Sequence, residues 1–170
     1  DETPDSLLLD GQQRLTSLYQ VLVRKQVVAT LTPRRQRVRR WFYLDIEKCL
    51  DEAGDRDEAV VILPESRRVT SEFGRVVELD LSTRELEFKN MMFPLTSVLH
   101  YADWQTAFVM QYSGTADFQA RFQPLNEFHE RVIKNFTAYL VPQIELSAST
   151  SKEAVCVVFE KVNTGGKALD

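Results

Sequence analysis

Histidine, cysteine and long apolar runs are scarce in this chain. It has 2 histidines and 2 cysteines among 170 residues, and Cys49 and Cys156 lie far apart without a CxxC pair. This pattern supports neither a disulfide framework nor a zinc site. His100 and His129 lack ligand partners at metal-binding spacing, and no HExxH, GxSxG or GxxxxGKS/T motif is present. We therefore expect no zinc site, no hydrolase triad and no P-loop.

No apolar run approaches the roughly 20 residues that a membrane span needs, and no leader of the secretory type is visible. We therefore expect a cytoplasmic protein without membrane contact. The formal net charge of −4 argues against a domain that is basic overall, although it is compatible with a local positive patch. The length suits one domain with a sizeable core. Residues 1–170 are expected to form a single domain that is a fragment of a larger protein, since the chain opens without Met.

The periodicity of the apolar residues predicts an α+β fold, with a small mixed sheet and a helical C-terminal half. Runs rich in branched and aromatic residues predict strands, and apolar residues at i, i+3, i+4 and i+7 predict helices. The predicted strands are residues 7–9, 41–46, 60–63, 76–81 and 141–146, with residues 86–88 closing a hairpin onto 76–81. The predicted helices are a segment after residue 11, residues 104–112, residues 117–140 around Pro124, and residues 151–162, which Thr150 and Glu153 precede at capping-box spacing.

The segment Asp10-Gly11-Gln12-Gln13-Arg14 stands between the first predicted strand and the first predicted helix. A strand, a glycine turn and a helix start bring backbone N–H groups and the positive end of the helix dipole to one point, which suits a phosphate. Arg14 adds a bidentate donor for phosphate, although a cation is unfavourable to the dipole there. Asp10 can hold Mg²⁺ or orient water, and Gln12 or Gln13 can position a phosphoryl oxygen or a nucleophile. The alternative is structural, because Asp10 and Gln13 also fit a capping box.

A second polar segment, Asn163-Thr164-Gly165-Gly166-Lys167, follows the last predicted helix. Its two glycines permit a close backbone approach, and Asn163, Thr164 and Lys167 offer groups that bind a base, a ribose or a phosphate. The same pattern is typical of a plain helix terminator, so this segment alone leaves both interpretations open.

A basic run extends from Arg34 to Arg40 and is followed by Trp41. Arginines of this kind can bind a nucleic-acid backbone, and the indole can stack on a base. The alternative is a solvated hairpin arm, which the overall acidity of the chain favours.

Two segments together resemble a known pattern. LLLDGQQRLTSLYQVL near the start and EAVCVVFEKVNTGGKALD at the end resemble the DGQQR and FxxxNxGGxxL segments of the GmrSD-type restriction enzyme N-terminal domain family. The resemblance implies a ParB/sulfiredoxin-like fold. It also implies a domain that binds and hydrolyses a nucleoside triphosphate in a modification-dependent restriction or antiphage defence protein. In such proteins an HNH-type nuclease domain, in the same protein or a partner chain, acts on the DNA.

Two sets of candidate residues follow. The expected catalytic set is Asp10, Gln12, Gln13 and Arg14. The expected nucleotide-binding set is Gly11, Asn163, Thr164 and Gly166. The expected cofactors are a nucleoside triphosphate and Mg²⁺. Family members usually carry a further segment with Gln-Arg and a nearby Tyr and Trp ahead of DGQQR, whereas six residues precede Leu7 here. No HNH residues are visible, so we expect no DNA cleavage by residues 1–170. The rival hypothesis is a ParB-like DNA-binding or protein-interaction module without turnover, which contacts DNA through the Arg34–Arg40 region.

Overall fold

The computed structural model describes residues 6–147 and 149–164, with the backbone alone for residues 162–164. The described residues fall into two compact units. One unit is Ser17–Tyr139, and the other combines the described parts of Asp1–Thr16 and Leu140–Asp170.

Helices and strands are interspersed in the first half of the chain, and helices dominate the second. The helices are α1 (Gln12–Leu22), α2 (Ile46–Leu50), α3 (Arg84–Lys89), α4 (Tyr101–Tyr112), α5 (Phe118–Phe128), α6 (Lys134–Ala138) and α7 (Lys152–Thr164). The strands are β1 (Val28–Leu31), β2 (Arg37–Asp45), β3 (Val60–Pro64), β4 (Arg68–Ser71), β5 (Val76–Asp80) and β6 (Met92–Pro94). Short 3₁₀ turns are Arg56–Ala59, Glu72–Gly74 and Leu95–His100, and a π-helical turn is His129–Ile133.

The long strand β2 organises the larger unit. β3 pairs with one edge of β2, from Arg40↔Pro64 to Leu44↔Val60. On the other edge β1 pairs with the first half of β2, and β6 pairs with its last three residues. β4 and β5 form a separate antiparallel hairpin. Every strand pair in the described part of the chain is antiparallel, so the sheet that was expected to be mixed has one kind of pairing.

Alternate residues of β2 enter two different apolar clusters, because successive side chains of a strand point to opposite faces. Leu44 packs against the larger cluster, which contains Phe93 and Trp104. Tyr43 belongs to the smaller cluster, which also contains Leu63 and side chains of the β4–β5 hairpin. The sheet therefore lies between the helices on one face and this hairpin on the other.

Aromatic rings fill the centre of the larger cluster. The Trp104 ring lies 4.7 Å from Phe88 and 5.1 Å from Phe93, both edge to face. Trp104, Phe93 and Phe108 have no exposed surface. Such pairs stabilise a core by about 0.5–1.5 kcal/mol beyond the burial of their area.

The α+β class and the helical C-terminal half are confirmed. The predicted strands at 41–46, 60–63 and 76–81 are present, and the first of them begins earlier, at Arg37. The helix predicted over residues 117–140 is present as α5, the π-helical turn and α6, and α5 continues through Pro124.

Three strand predictions are wrong. Residues 7–9 and 141–146 form no strand, and Leu7, Val141 and Ile144 are 76%, 64% and 69% exposed. An apolar run forms a buried strand only where a neighbouring strand can pair with it, and neither run has such a partner among the residues that the structure describes. Residues 86–88 belong to the helix α3 instead, because the Thr83 hydroxyl accepts a hydrogen bond from the backbone N–H of Leu86 and caps that helix.

Within the described residues, none of the helices combines the length and the apolar character that crossing a membrane requires.

Candidate functional site

The DGQQR segment forms the entry to α1. Gly11 has φ +76°, a conformation that side chains other than glycine rarely adopt, and its carbonyl accepts the first helical hydrogen bond from Leu15 N–H at 2.9 Å. A Cβ at Gly11 would meet only Arg14 Nη2, at 3.9 Å. The glycine is therefore required by the backbone conformation and not by lack of space.

Gly11 occupies the N-cap position, since its carbonyl is the first acceptor of the helix. Asp10 lies one residue before the cap. The capping-box alternative, which needs Asp10 at the N-cap and Gln13 three residues later, is therefore wrong for this turn.

Asp10 and Arg14 form an exposed ion pair. Arg14 Nη2 donates to Asp10 Oδ2 at 3.3 Å, and the two side chains are 40% and 79% exposed for Asp10 and Arg14 respectively. An exposed pair at this i, i+4 spacing is worth a few tenths of a kcal/mol. Both charged groups can consequently exchange this contact for a stronger one at little cost.

The two glutamines differ in their setting. Gln12 Nε2 donates to the carbonyl of Leu8 at 2.5 Å, which ties the segment before the turn to the start of α1. Both glutamines are exposed in the first turn of the helix. The polar side chains of DGQQR therefore cluster around one helix end.

The second candidate segment lies at the end of α7. This helix confirms the prediction over residues 151–162 and extends to Thr164. Its N-terminal cap is Ser151, whose Oγ accepts from Ala154 N–H at 3.2 Å, where Thr150 was expected. Asn163 and Thr164 have helical backbone, where a loop was expected, and Gly166 lies outside the described residues. The two candidate segments belong to the same compact unit of the chain.

A buried carboxylate in the larger unit was not predicted. Glu87 on α3 is 5% exposed, and it accepts hydrogen bonds from Tyr43 Oη at 3.3 Å and from Trp104 Nε1 at 3.4 Å. Arg67 Nη1 lies 3.9 Å from the same carboxylate and its guanidinium stacks over Trp41. Burial raises the pKa of Glu87, and the hydrogen bond from Trp104 and the charge of Arg67 oppose that rise. No local pattern marks this position, because its partners come from three other parts of the chain.

Metal binding by side chains alone finds no support among residues 6–147 and 149–164. In these ranges no group of three or more His, Cys, Asp or Glu side chains could hold a metal ion. A divalent cation at the DGQQR turn would therefore rely on Asp10 together with oxygens of a bound ligand, which is how Mg²⁺ is commonly held beside phosphates.

Comparison with known protein families identifies the family of this chain. The family model described as the N-terminal domain of the GmrSD restriction endonuclease matches residues 1–170. The chain belongs to this family. As a GmrSD N-terminal domain it is a component of a restriction protein, and full-length proteins of the family pair this domain with a nuclease domain. No curated protein and no solved structure matches the chain. The ParB/sulfiredoxin-like fold and the cytoplasmic location of this GmrSD domain stay predictions.

Proposed function

We propose that the DGQQR turn binds a nucleoside triphosphate with Mg²⁺ and hydrolyses it, within a restriction or antiphage defence protein. The observation that carries this proposal is the exposed Asp10–Arg14 pair, 3.3 Å between Nη2 and Oδ2, at the N-terminal end of α1. An HNH-type nuclease domain, in the same protein or a partner chain, would then act on the DNA.

The end of α1 supplies what a triphosphate needs. Backbone amides and the helix dipole favour an anion at this point, and Arg14 adds a guanidinium that matches phosphate oxygens. Binding would separate the present pair, so that Arg14 contacts phosphate and Asp10 becomes a ligand of Mg²⁺. The exchange is favourable because the exposed pair itself contributes little to stability.

The glutamine side chains can position the attacking water. Gln12 is anchored through Nε2, which leaves its Oε1 as an acceptor for the attacking water. In the reaction, water adds to the γ-phosphorus and the bond from that phosphorus to the bridging oxygen breaks. A nucleoside diphosphate and inorganic phosphate leave, and the proton of the attacking water passes to the phosphate or to solvent. Such chemistry depends mainly on position and charge stabilisation. Gln13, Gly11, Asn163, Thr164 and Gly166 complete the proposed site.

Calorimetry with ATP and GTP in the presence of Mg²⁺ tests the binding step, on residues 1–170 and on the full-length protein. We expect Arg14→Ala to weaken binding roughly ten- to a hundredfold, since a hydrogen bond to a charged group is worth about 1.5–3 kcal/mol. Arg24→Ala is the matched control. Arg24 is exposed just beyond the same helix and donates to Gln26, so its loss should leave nucleotide affinity unchanged.

Phosphate release tests turnover. Asp10→Asn should lower the Mg²⁺-dependent rate while circular dichroism shows the fold intact. The proposal fails if neither the chain nor the full-length protein binds a nucleoside triphosphate, or if Arg14→Ala and Arg24→Ala bind it equally well.

A further inference from the structure

Four arginines of the basic run have no carboxylate partner among the described residues. They are Arg34, Arg35, Arg37 and Arg40. Arg39, in the middle of the run, pairs with Glu65 at 2.8 Å. Elsewhere in the described residues, five arginines have an aspartate or glutamate within 4 Å: Arg14, Arg67, Arg68, Arg121 and Arg131. The run therefore concentrates uncompensated positive charge on a chain whose net charge is −4.

The backbone beneath these arginines is ordered by hydrogen bonds. In the turn between β1 and β2, Arg35 N–H donates to the Thr32 carbonyl at 2.8 Å and Gln36 N–H donates to Thr32 Oγ1 at 3.1 Å. Thr32 N–H donates in turn to the Gln36 carbonyl at 3.0 Å. The segment is a hairpin, as the alternative of a solvated hairpin arm also expects, and it presents the exposed Arg34 and Arg35 at a hydrogen-bonded tip.

The tip of this hairpin extends beyond the rest of the sheet. β3 pairs with β2 only from Arg40 onward, whereas β1 pairs with β2 from Arg37. Among the described residues, the backbone of 37–39 therefore pairs with β1 alone, as a two-stranded ribbon, while the Arg39 side chain also contacts Glu65. A ribbon of two antiparallel strands has the width that fits the major groove of duplex DNA, about 12 Å across.

The ribbon carries arginines on both faces, so that in a groove it can contact phosphates on both sides. At about 3.3 Å per strand residue, Arg37 and Arg40 are separated by roughly 10 Å and point to opposite faces. Arg40 also lines an open cleft of about 520 Å³ together with Arg68 and Thr70 of β4. Arg68 is paired with Asp80 at 2.8 Å, so Arg40 is the arginine of this cleft that has no carboxylate partner among the described residues.

We propose that the β1–β2 ribbon binds the phosphate backbone of duplex DNA through Arg34, Arg35, Arg37 and Arg40. This surface shares no residue with the DGQQR turn, and the proposal needs no nucleotide there. Four phosphate contacts release about four counterions, so the logarithm of the affinity should fall against the logarithm of salt concentration with a slope of about −3.6. Between about 50 and 200 mM salt this slope amounts to roughly a 150-fold loss of affinity.

Fluorescence anisotropy with a labelled duplex of about two helical turns measures this dependence on residues 1–170. Changing Arg34, Arg35 and Arg37 together to Ala should reduce the slope to about −0.9 and the affinity at low salt by at least tenfold. Changing the same three arginines to Lys should keep most of the affinity, because attraction to phosphate depends mainly on positive charge and less on the geometry of the guanidinium group. Arg56→Ala is the matched control, since Arg56 is exposed in the turn that leads into Val60, at the other end of β3.

Three results would overturn the proposal. They are no binding of duplex DNA at low salt, equal binding by the triple Ala variant and the wild type, and tighter binding of single-stranded RNA than of duplex DNA. Arg14→Ala separates this proposal from the nucleotide site: it should leave DNA affinity unchanged, and failure of nucleotide binding leaves the DNA measurement valid.

Discussion

Removal of the Glu87 carboxylate should destabilise the larger unit strongly. In Glu87→Ala the hydroxyl of Tyr43 and the indole N–H of Trp104 both lose their acceptor inside the core. Each buried polar group left without a partner costs about 1–3 kcal/mol. Arg67 loses its ion pair but is 31% exposed and can reach water. We expect a loss of about 3–5 kcal/mol, which lowers the unfolding temperature by on the order of 10 °C.

Glu87→Gln separates hydrogen bonding from charge. The amide oxygen can accept from Trp104, and the amide nitrogen can donate to Tyr43 Oη, so we expect this variant within about 1 kcal/mol of the wild type at neutral pH. The pKa of Glu87 in the folded protein is raised above its ordinary 4.5 by burial. The folded state then binds the proton more tightly than the unfolded state, so this carboxyl favours folding at low pH. The stability of the wild type relative to Glu87→Gln should therefore fall as the pH rises from about 4.5 through the raised pKa.

Urea unfolding between pH 4 and 8, followed by tryptophan fluorescence, measures both effects because Trp104 is fully buried. Glu78→Gln is the control, since Glu78 is an exposed carboxylate on β5. Two results would refute the reasoning. One is Glu87→Ala unfolding within about 0.5 kcal/mol of the wild type, the range of ordinary surface substitutions. The other is a difference between wild type and Glu87→Gln that does not change with pH.

Two further predictions concern the thiols and one turn. Burial, with a smaller contribution from Asp45, raises the pKa of Cys49 to about 11, so roughly one thiolate in a thousand is present at pH 8. Ellman's reagent should label the exposed Cys156 quickly and Cys49 only on unfolding, and two equal rates would contradict this. Phe73 is fully exposed at φ 58° and ψ 35°, so Phe73→Asn should raise the free energy of unfolding by up to about 1 kcal/mol. Gly74→Ala, at φ +87° with open space around a Cβ, should lower it by about as much in the same urea assay, and a gain in stability there would be the contrary result.

Local patterns in the sequence predicted the longer helices and the family, whereas the short helices α2 and α3 were not predicted. The apolar stripe after residue 11 predicted α1, and the periodicity over residues 151–162 predicted most of α7. The two quoted segments pointed to the GmrSD family, which the match over residues 1–170 confirms. These successes share a cause, because helix periodicity and short motifs are properties of neighbouring residues.

Strand pairing and burial could not be predicted in the same way. Leu44 pairs with Phe93 across a long stretch of chain, and β4 was not anticipated as the partner of β5. The run at residues 7–9 is as apolar as a core strand but is exposed. Whether an apolar run becomes a strand depends on a partner elsewhere in the chain, and that partner is invisible to a local pattern.

In the candidate site, too, local features could be read from the sequence, whereas contacts between distant residues could not. The sequence alone determined that Asp10, Gly11 and Arg14 stand at the start of a helix, because the glycine turn and the periodicity after it are local. Only the tertiary structure decided that Gly11 is the cap, that Asp10 faces Arg14, and that Glu87 is buried among Tyr43 and Trp104. It also decided that the basic run forms a projecting ribbon. Those facts depend on backbone conformation and on contacts between distant residues, which composition and spacing do not specify.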